Sequence, residues 1–242
     1  LLSIDHHAQW RIEVFLAEKP SPEDAIAEIE HIMGLLCCIY RGAPQVLVNI
    51  DRKENGTWKR HEFCGMLTGT WGHSSLPLER LPRWAALIDE FPRKLAKEFV
   101  IPLNYFRETV AERRNFENNR AMLSAAVAFE SLLGKGSSSE ISFRLSQRGA
   151  LLISQGEESI KVFKILKKIY NDRSSLVHSG KNVSRESVTK MEQFLMRAIP
   201  SMAALPKESG SFKQASEILD KGGLFRDPLL TKIAKGNQIS DW

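Results

Sequence analysis

Apolar and polar positions change their rhythm partway along the chain. Over the first hundred residues the periods are mixed. Trp10 to Ala17 (WRIEVFLA) reads as a short strand. Ser21-Pro22-Glu23-Asp24 then supplies an N-cap, a first-turn proline and first-turn acids, opening a helix that runs to about Tyr40 before Arg41-Gly42-Ala43-Pro44 stops it. Gln45 to Asp51 and Thr57 to Cys64 are strand-like runs flanking Arg52 to Gly56, whose Asn55-Gly56 signals a tight turn; together they predict a β-hairpin. Gly65 to Pro82 is rich in Gly, Ser and Thr and reads as loop, and Trp84 to Phe99 has a helical apolar spacing broken near Pro92.

From Asn118 the pattern is helical almost without interruption. Asn118 to Leu133 carries Met122, Leu123, Ala126, Phe129 and Leu133 at the three-and-four spacing of one amphipathic face. Gly134-Lys135-Gly136-Ser137-Ser138-Ser139 breaks it, and Ser139 is the expected N-cap of a helix from Glu140 to about Ser154, with Ile141, Leu145, Ala150, Leu151 and Leu152 among its apolar positions. A third helix, Glu157 to about Val177, begins on two acids and carries Ile160, Phe163, Ile165, Leu166, Ile169 and Tyr170, with Lys161, Lys164, Lys167 and Lys168 on its solvent side. A fourth starts near Ser184, where Ser184 with Ser187 or Glu186 can cap, and passes through Val188, Met191, Phe194 and Leu195 to about Pro200. Four helices on short loops predict an antiparallel bundle. Phe212 to Lys221 and Pro228 to Ala234 add two shorter helical stretches. The expected fold class is therefore mixed: an N-terminal α+β domain over residues 1–110, then an all-α four-helix bundle with extra C-terminal helices over residues 111–242.

Composition refines this picture only slightly. At 43% apolar and 26% charged, the chain has the balance of a folded domain and not of a disordered one. Its net charge of +5, from 34 Lys and Arg against 29 Asp and Glu, permits a nucleic-acid partner without demanding one. Cys37 and Cys38 sit inside the apolar run GLLCCIY, where small buried hydrophobes fit better than disulfides, which favours a reducing, cytoplasmic setting. No stretch reaches the roughly 18 uninterrupted apolar residues of a membrane helix, and the opening LLSIDHHAQW lacks the charged-then-apolar order of a signal peptide, so a soluble protein without a membrane partner is expected. A first residue of Leu rather than Met leaves room for further sequence upstream.

The segment richest in chemistry is Tyr170 to Lys181, YNDRSSLVHSGK. It sets Arg173 five residues before His178, just ahead of a Gly180 stop. On an ideal helix that spacing turns the two side chains about 140° apart, so a shared site requires the helix to end between them or a second copy to complete it. Arginine offers a planar fork of donors matched to phosphate oxygens, and histidine exchanges a proton near neutrality. Together the two suit transesterification of RNA without a metal. The same residues also fit a plain helix C-terminus, where a cationic His and a terminal Gly satisfy the last carbonyls.

YNDRSSLVHSGK, with Phe129-Glu130-Ser131-Leu132-Leu133 on an earlier helix and Leu145-Ser146-Gln147-Arg148-Gly149-Ala150-Leu151-Leu152 on the next, resembles the HEPN superfamily and within it the ApeA-like branch. The resemblance covers about ninety residues, Asn118 to Leu205. It implies a bundle of four main helices that dimerises and brings two Arg-x4-6-His motifs into one cleft. It also implies a metal-independent endoribonuclease of a toxin, antiviral or RNA-processing system, with no cofactor. On this chain Arg173 and His178 would be the catalytic pair, and Ser174 fills the polar position after the arginine. Asp172 and Tyr170 would orient the motif. Glu130 and Arg148 match the early-helix acid and second-helix arginine of the ApeA-like pattern, either as an ion pair tying two helices together or in support of catalysis. The 1–110 domain would then sense a trigger or position the substrate. A different class of function keeps the same fold: a non-catalytic module for dimerisation or for binding RNA or a nucleotide.

The remaining candidates are bland. His6 and His7 lie at the start of the sequence, and His31, His61 and His73 with Cys37, Cys38 and Cys64 have none of the tight spacings of a zinc site, so no metal is expected. The glycine-rich run from Gly134 follows a helix and lacks the spacing of a phosphate loop; it reads as a turn. The lysines of the third helix read as a solvated face that could also draw in an RNA backbone.

Overall fold

The computed structural model describes residues 96–134 and 140–221 continuously, the strands β1 (Val48–Glu54) and β2 (Thr57–Phe63), and residues 28, 31, 32, 34, 35, 37, 38, 82, 86, 230 and 233. The expected strand over 10–17, the cap at 139 and nearly all of the loop over 65–82 lie outside these residues. Six helices follow one another among the described residues: α1 Ala96–Arg114, α2 Asn118–Leu133, α3 Ile141–Ile153, α4 Glu157–Ser179, α5 Arg185–Ser209 and α6 Phe212–Lys221.

The strands β1 and β2 pair antiparallel, with Val48 opposite Phe63 and Glu54 opposite Thr57. That register leaves two residues, Asn55 and Gly56, between them, the loop length that Asn-Gly favours. It also carries β1 to Glu54, three residues beyond the expected end at Asp51, because a short turn fixes which residues face each other; residues 45–47 lie outside the described residues.

The helical region begins well before Asn118. Helix α1 spans residue 110, the last residue of the expected N-terminal domain. It tolerates Pro102 in its interior because Phe99, Leu103, Phe106 and Val110 are fully buried along one face. Burying such side chains contributes about 1.5–3 kcal/mol each, against the ~3 kcal/mol that an interior proline costs. Leu35, Cys37 and Cys38, at the end of the helix expected to reach Tyr40, join the same core. Gly34 allows that approach: a Cβ there would lie 2.7 Å from the Leu103 Cβ.

Helix α5 is the axis, packing on α1, α2, α3, α4 and α6. It does not stop near Pro200 but continues through Pro200 and Pro206 to Ser209. Ile199, just before the first proline, and Met202 and Leu205, beyond it, are completely buried, so the apolar face outweighs the lost amide. Ser184 caps its start as expected, its hydroxyl oxygen accepting from the Ser187 amide. Phe129 and Phe194 meet edge to face at 5.2 Å. Gly149 lets α3 close on its neighbours, since a Cβ there would lie 2.8 Å from Leu166 and 2.9 Å from Phe194.

Periodicity assigned several apolar residues to faces that turn outward. Leu123, Ile141, Ile160 and Ile165 are between 40% and 58% exposed. Helix α4 fully buries only Leu166 and Ile169, so it lies at the rim with its lysines in solvent. No helix among the described residues is long and apolar enough to cross a membrane.

Candidate functional site

The site is built around α4, and its boundaries follow from simple chemistry. Glu157 and Glu158 favour the positive end of the helix dipole. Gly180 ends it at φ 64°, a left-handed conformation that glycine adopts without strain, and its amide donates to the Leu176 carbonyl at 3.0 Å. His178 is exposed in the last turn, and Arg173 lies half-buried on the same unbroken helix. Of the two ways in which the pair could share a site, a helix end between them is therefore removed. Within one chain the two side chains diverge by about 140° and are offset by about 7.5 Å along the axis.

Arg173 belongs to a small polar cluster. Its Nη2 lies 3.3 Å from Glu130 Oε1, and Tyr170 donates its hydroxyl proton to that same oxygen at 2.9 Å. The guanidinium also stands 5.6 Å from the centroid of the Tyr170 ring. Arg173 Nε is shielded from solvent and has no hydrogen-bond partner. Burial, and then the hydrogen bond to Glu130, push the Tyr170 hydroxyl up to about 12, so at neutral pH it remains a donor. Ser174 is half-buried next to Arg173.

Asp172 serves a different junction from the one expected. It accepts from Ser187 Oγ at 2.9 Å and from Lys168 at 3.4 Å, which fastens α4 to the capped start of α5. The same loop is held from the other side by Asn119, which accepts from the Val183 amide at 3.0 Å and donates to Asn182 at 2.8 Å. The segment following His178 is thus pinned at both ends.

Arg148 is not part of the Arg173 cluster, and the expected pair between Glu130 and Arg148 does not form. Glu130 turns to α4, whereas Arg148, 2% exposed, grips Asp220 of α6 with Nε and Nη2 at 2.7 and 2.8 Å and donates from Nη1 to the Leu133 carbonyl. Each charge found another partner. The hydrogen bond from Arg148 holds the Asp220 carboxyl below the usual carboxylate range. Asp220, and the bond from Ser187 to Asp172, were missed by sequence reasoning. The amphipathic pattern around Asp220 marked a helix, but nothing local marks which remote charge it meets.

Among the described residues no group of three or more His, Cys, Asp or Glu side chains gathers to hold a metal. Cys37 and Cys38 are buried and free, and burial pushes the Cys37 thiol up to about 12, far from the thiolate a nucleophile needs. What α4 offers is a guanidinium with an unused donor and an exposed imidazole, flanked by exposed lysines. Such a set can bind phosphate and exchange a proton. No family model matches the chain, and neither does any curated protein or solved structure compared with it.

Proposed function

We propose that the chain is a HEPN-type endoribonuclease, acting as a homodimer and cutting RNA by transesterification without a metal. The 2′-hydroxyl oxygen attacks the adjacent phosphorus as the bond from phosphorus to the 5′-oxygen breaks. A 2′,3′-cyclic phosphate and a 5′-hydroxyl remain. His178 takes the 2′-hydroxyl proton or supplies the one that the leaving oxygen gains, and Arg173 neutralises the charge that builds on the phosphoryl oxygens. Ser174 is a polar neighbour for the same group. Glu130 and Tyr170 are positioning residues, since both hold Arg173.

The observation that carries this reading is the unpartnered Arg173 Nε on the helix whose last turn exposes His178. A shielded donor without an acceptor costs about 1–3 kcal/mol, and a phosphate oxygen would satisfy it. The divergence of the pair is answered by a second copy. Ile160, Lys167, Asn171 and His178 fall within roughly 20° of one strip along α4, and all four are exposed. Beside that strip, Ile141 and Phe143 of α3 are 41% and 44% exposed, with Phe143 edge-on to Phe163 at 5.3 Å. A strip both apolar and cationic suits a homodimer contact that borders an RNA path. We place this activity in the cytoplasm, in a toxin or antiviral system, with the chain upstream of the bundle sensing the trigger.

One observation favours the non-catalytic reading: Glu130 already pairs with Arg173, as it would if the arginine only tied α2 to α4. Incubation of the protein with labelled RNA in excess chelator separates the two. Wild type is expected to leave cyclic-phosphate ends, and Arg173→Ala and His178→Ala to lose at least about 100-fold in rate. Intact RNA with wild type, or variants that cut as fast, would remove the catalytic assignment.

A further inference from the structure

A cleft of about 470 Å³ opens between the turn joining α1 to α2 and the loop joining α4 to α5, lined by Phe116, Glu117, Asn118, Asn119, Arg120 and Asn182 among others. Phe116 is its most unusual wall. The residue sits at φ 63°, a left-handed conformation that suits glycine or asparagine, and still carries a large ring that is 74% exposed. A smaller residue would end α1 with less strain, so the ring has no role in closing the helix. Arg185 places its guanidinium 5.2 Å from the ring centroid, and the high exposure leaves ring surface open to solvent.

The rest of the cleft is polar in a particular way. The Asn118 side-chain oxygen is shielded from solvent without a hydrogen-bond partner. Asn119 and Asn182 hydrogen-bond to each other and form a fixed amide wall. Arg120 is 73% exposed at its side chain and pairs with Glu117 at 2.9 Å, at the surface, where such a pair exchanges readily. A flat exposed ring with a cation near it, amide groups beside it and Arg120 in the wall match a planar heterocycle attached to a phosphate. Asn182 follows His178 by four residues on the pinned loop, so an occupant lies close along the chain to the exposed imidazole.

We infer that this cleft seats an unpaired base of the RNA strand being cut, stacked on Phe116. A base inside a duplex is stacked on its neighbours and cannot reach the ring, and duplex RNA is read by shape across its minor groove. The inference rests on the ribonuclease reading for the identity of its ligand. It is therefore tested by binding, in protein that does not cut.

The test uses the full chain carrying His178→Ala, with fluorescence anisotropy at one fixed salt concentration and three probes: a labelled single-stranded RNA, the same RNA with abasic sites, and its duplex. Adding Phe116→Ala is expected to raise the Kd for the single strand about tenfold, to leave the abasic probe unchanged, and to be rescued by Phe116→Tyr. Irradiation of a 4-thiouridine single strand is expected to crosslink at Phe116. An unchanged Kd, an equal loss on the abasic probe, or RNA that binds neither protein would overturn the inference. If the chain carrying native His178 cuts RNA while Phe116 is indifferent, the base site fails and the ribonuclease reading stands. If Phe116 governs binding but that chain never cuts, the reverse holds.

Discussion

Single residues decide how this molecule responds to acid. Arg148 is 2% exposed, and Asp220 meets it with both carboxylate oxygens from a side chain that is 36% exposed. The Asp220 carboxyl is held below its ordinary value of about 3.9, chiefly by the Arg148 hydrogen bond. A depressed folded-state pKa means that the stabilisation is present above about pH 4 and is lost as the pH falls through the folded value. Asp220→Asn should therefore lower the urea midpoint at pH 7 and then lose less than wild type on acidification from about pH 5 to 2. Parallel curves for the two proteins would show that the pair does not govern the acid limb. Glu130 lies at the same scale but has a different task. It gathers Tyr170 and Arg173 onto one oxygen and so ties α2 to α4.

At the scale of elements, the junction of α1 with α5 carries a buried ion pair, Arg113 with Glu192, in which Glu192 is 2% exposed. Removing one partner of such a pair leaves a charge with no counterpart, and Glu192→Ala should cost about 3 kcal/mol by chemical denaturation. A loss under about 0.5 kcal/mol would mean that Arg113 reaches water instead. Helix α2 and the start of α6 were legible in the sequence to the residue, because a break in polarity or a glycine-containing stretch bounds them. Helix α4 was two residues short, and α5 ended nine residues early in the reading because Pro200 is a strong local stop. The run Ile199, Met202, Leu205 overrides that stop only through contacts that no local window contains. The site divides in the same manner. Arg173 and His178 were visible as a motif, whereas the partners Glu130, Ser187 and Asp220 are fixed by which helix faces which. Phe116 was not visible at all, since a lone aromatic next to Asn118-Asn119 gives no sign in sequence of its backbone conformation or exposure.

At the scale of the whole molecule, the proposed ribonuclease reading would make activity a property of a dimer, because Arg173 and His178 diverge on one unbroken helix. If the arginine of one copy serves the histidine of another, neither Arg173→Ala nor His178→Ala retains a complete site. Mixed subunits should then recover about one quarter of wild-type activity, because half the dimers are heterodimers with one of two sites intact. Cleavage rates measured after subunit exchange test this, and no recovery from demonstrated heterodimers would sink the trans arrangement.

The approach of Gly34 to Leu103 also bears on a matter apart from RNA. It draws the neighbouring Cys37 and Cys38 into a wall with no access for oxidants, at 0% and 3% exposure, and burial keeps both thiols protonated. Oxidation at these two sulfurs requires that the segment first lift from α1. A sulfenic acid or mixed disulfide found there would record an opening that had already happened, so oxidation at these two sulfurs scales with the fraction of time the segment spends open as well as with the dose of peroxide.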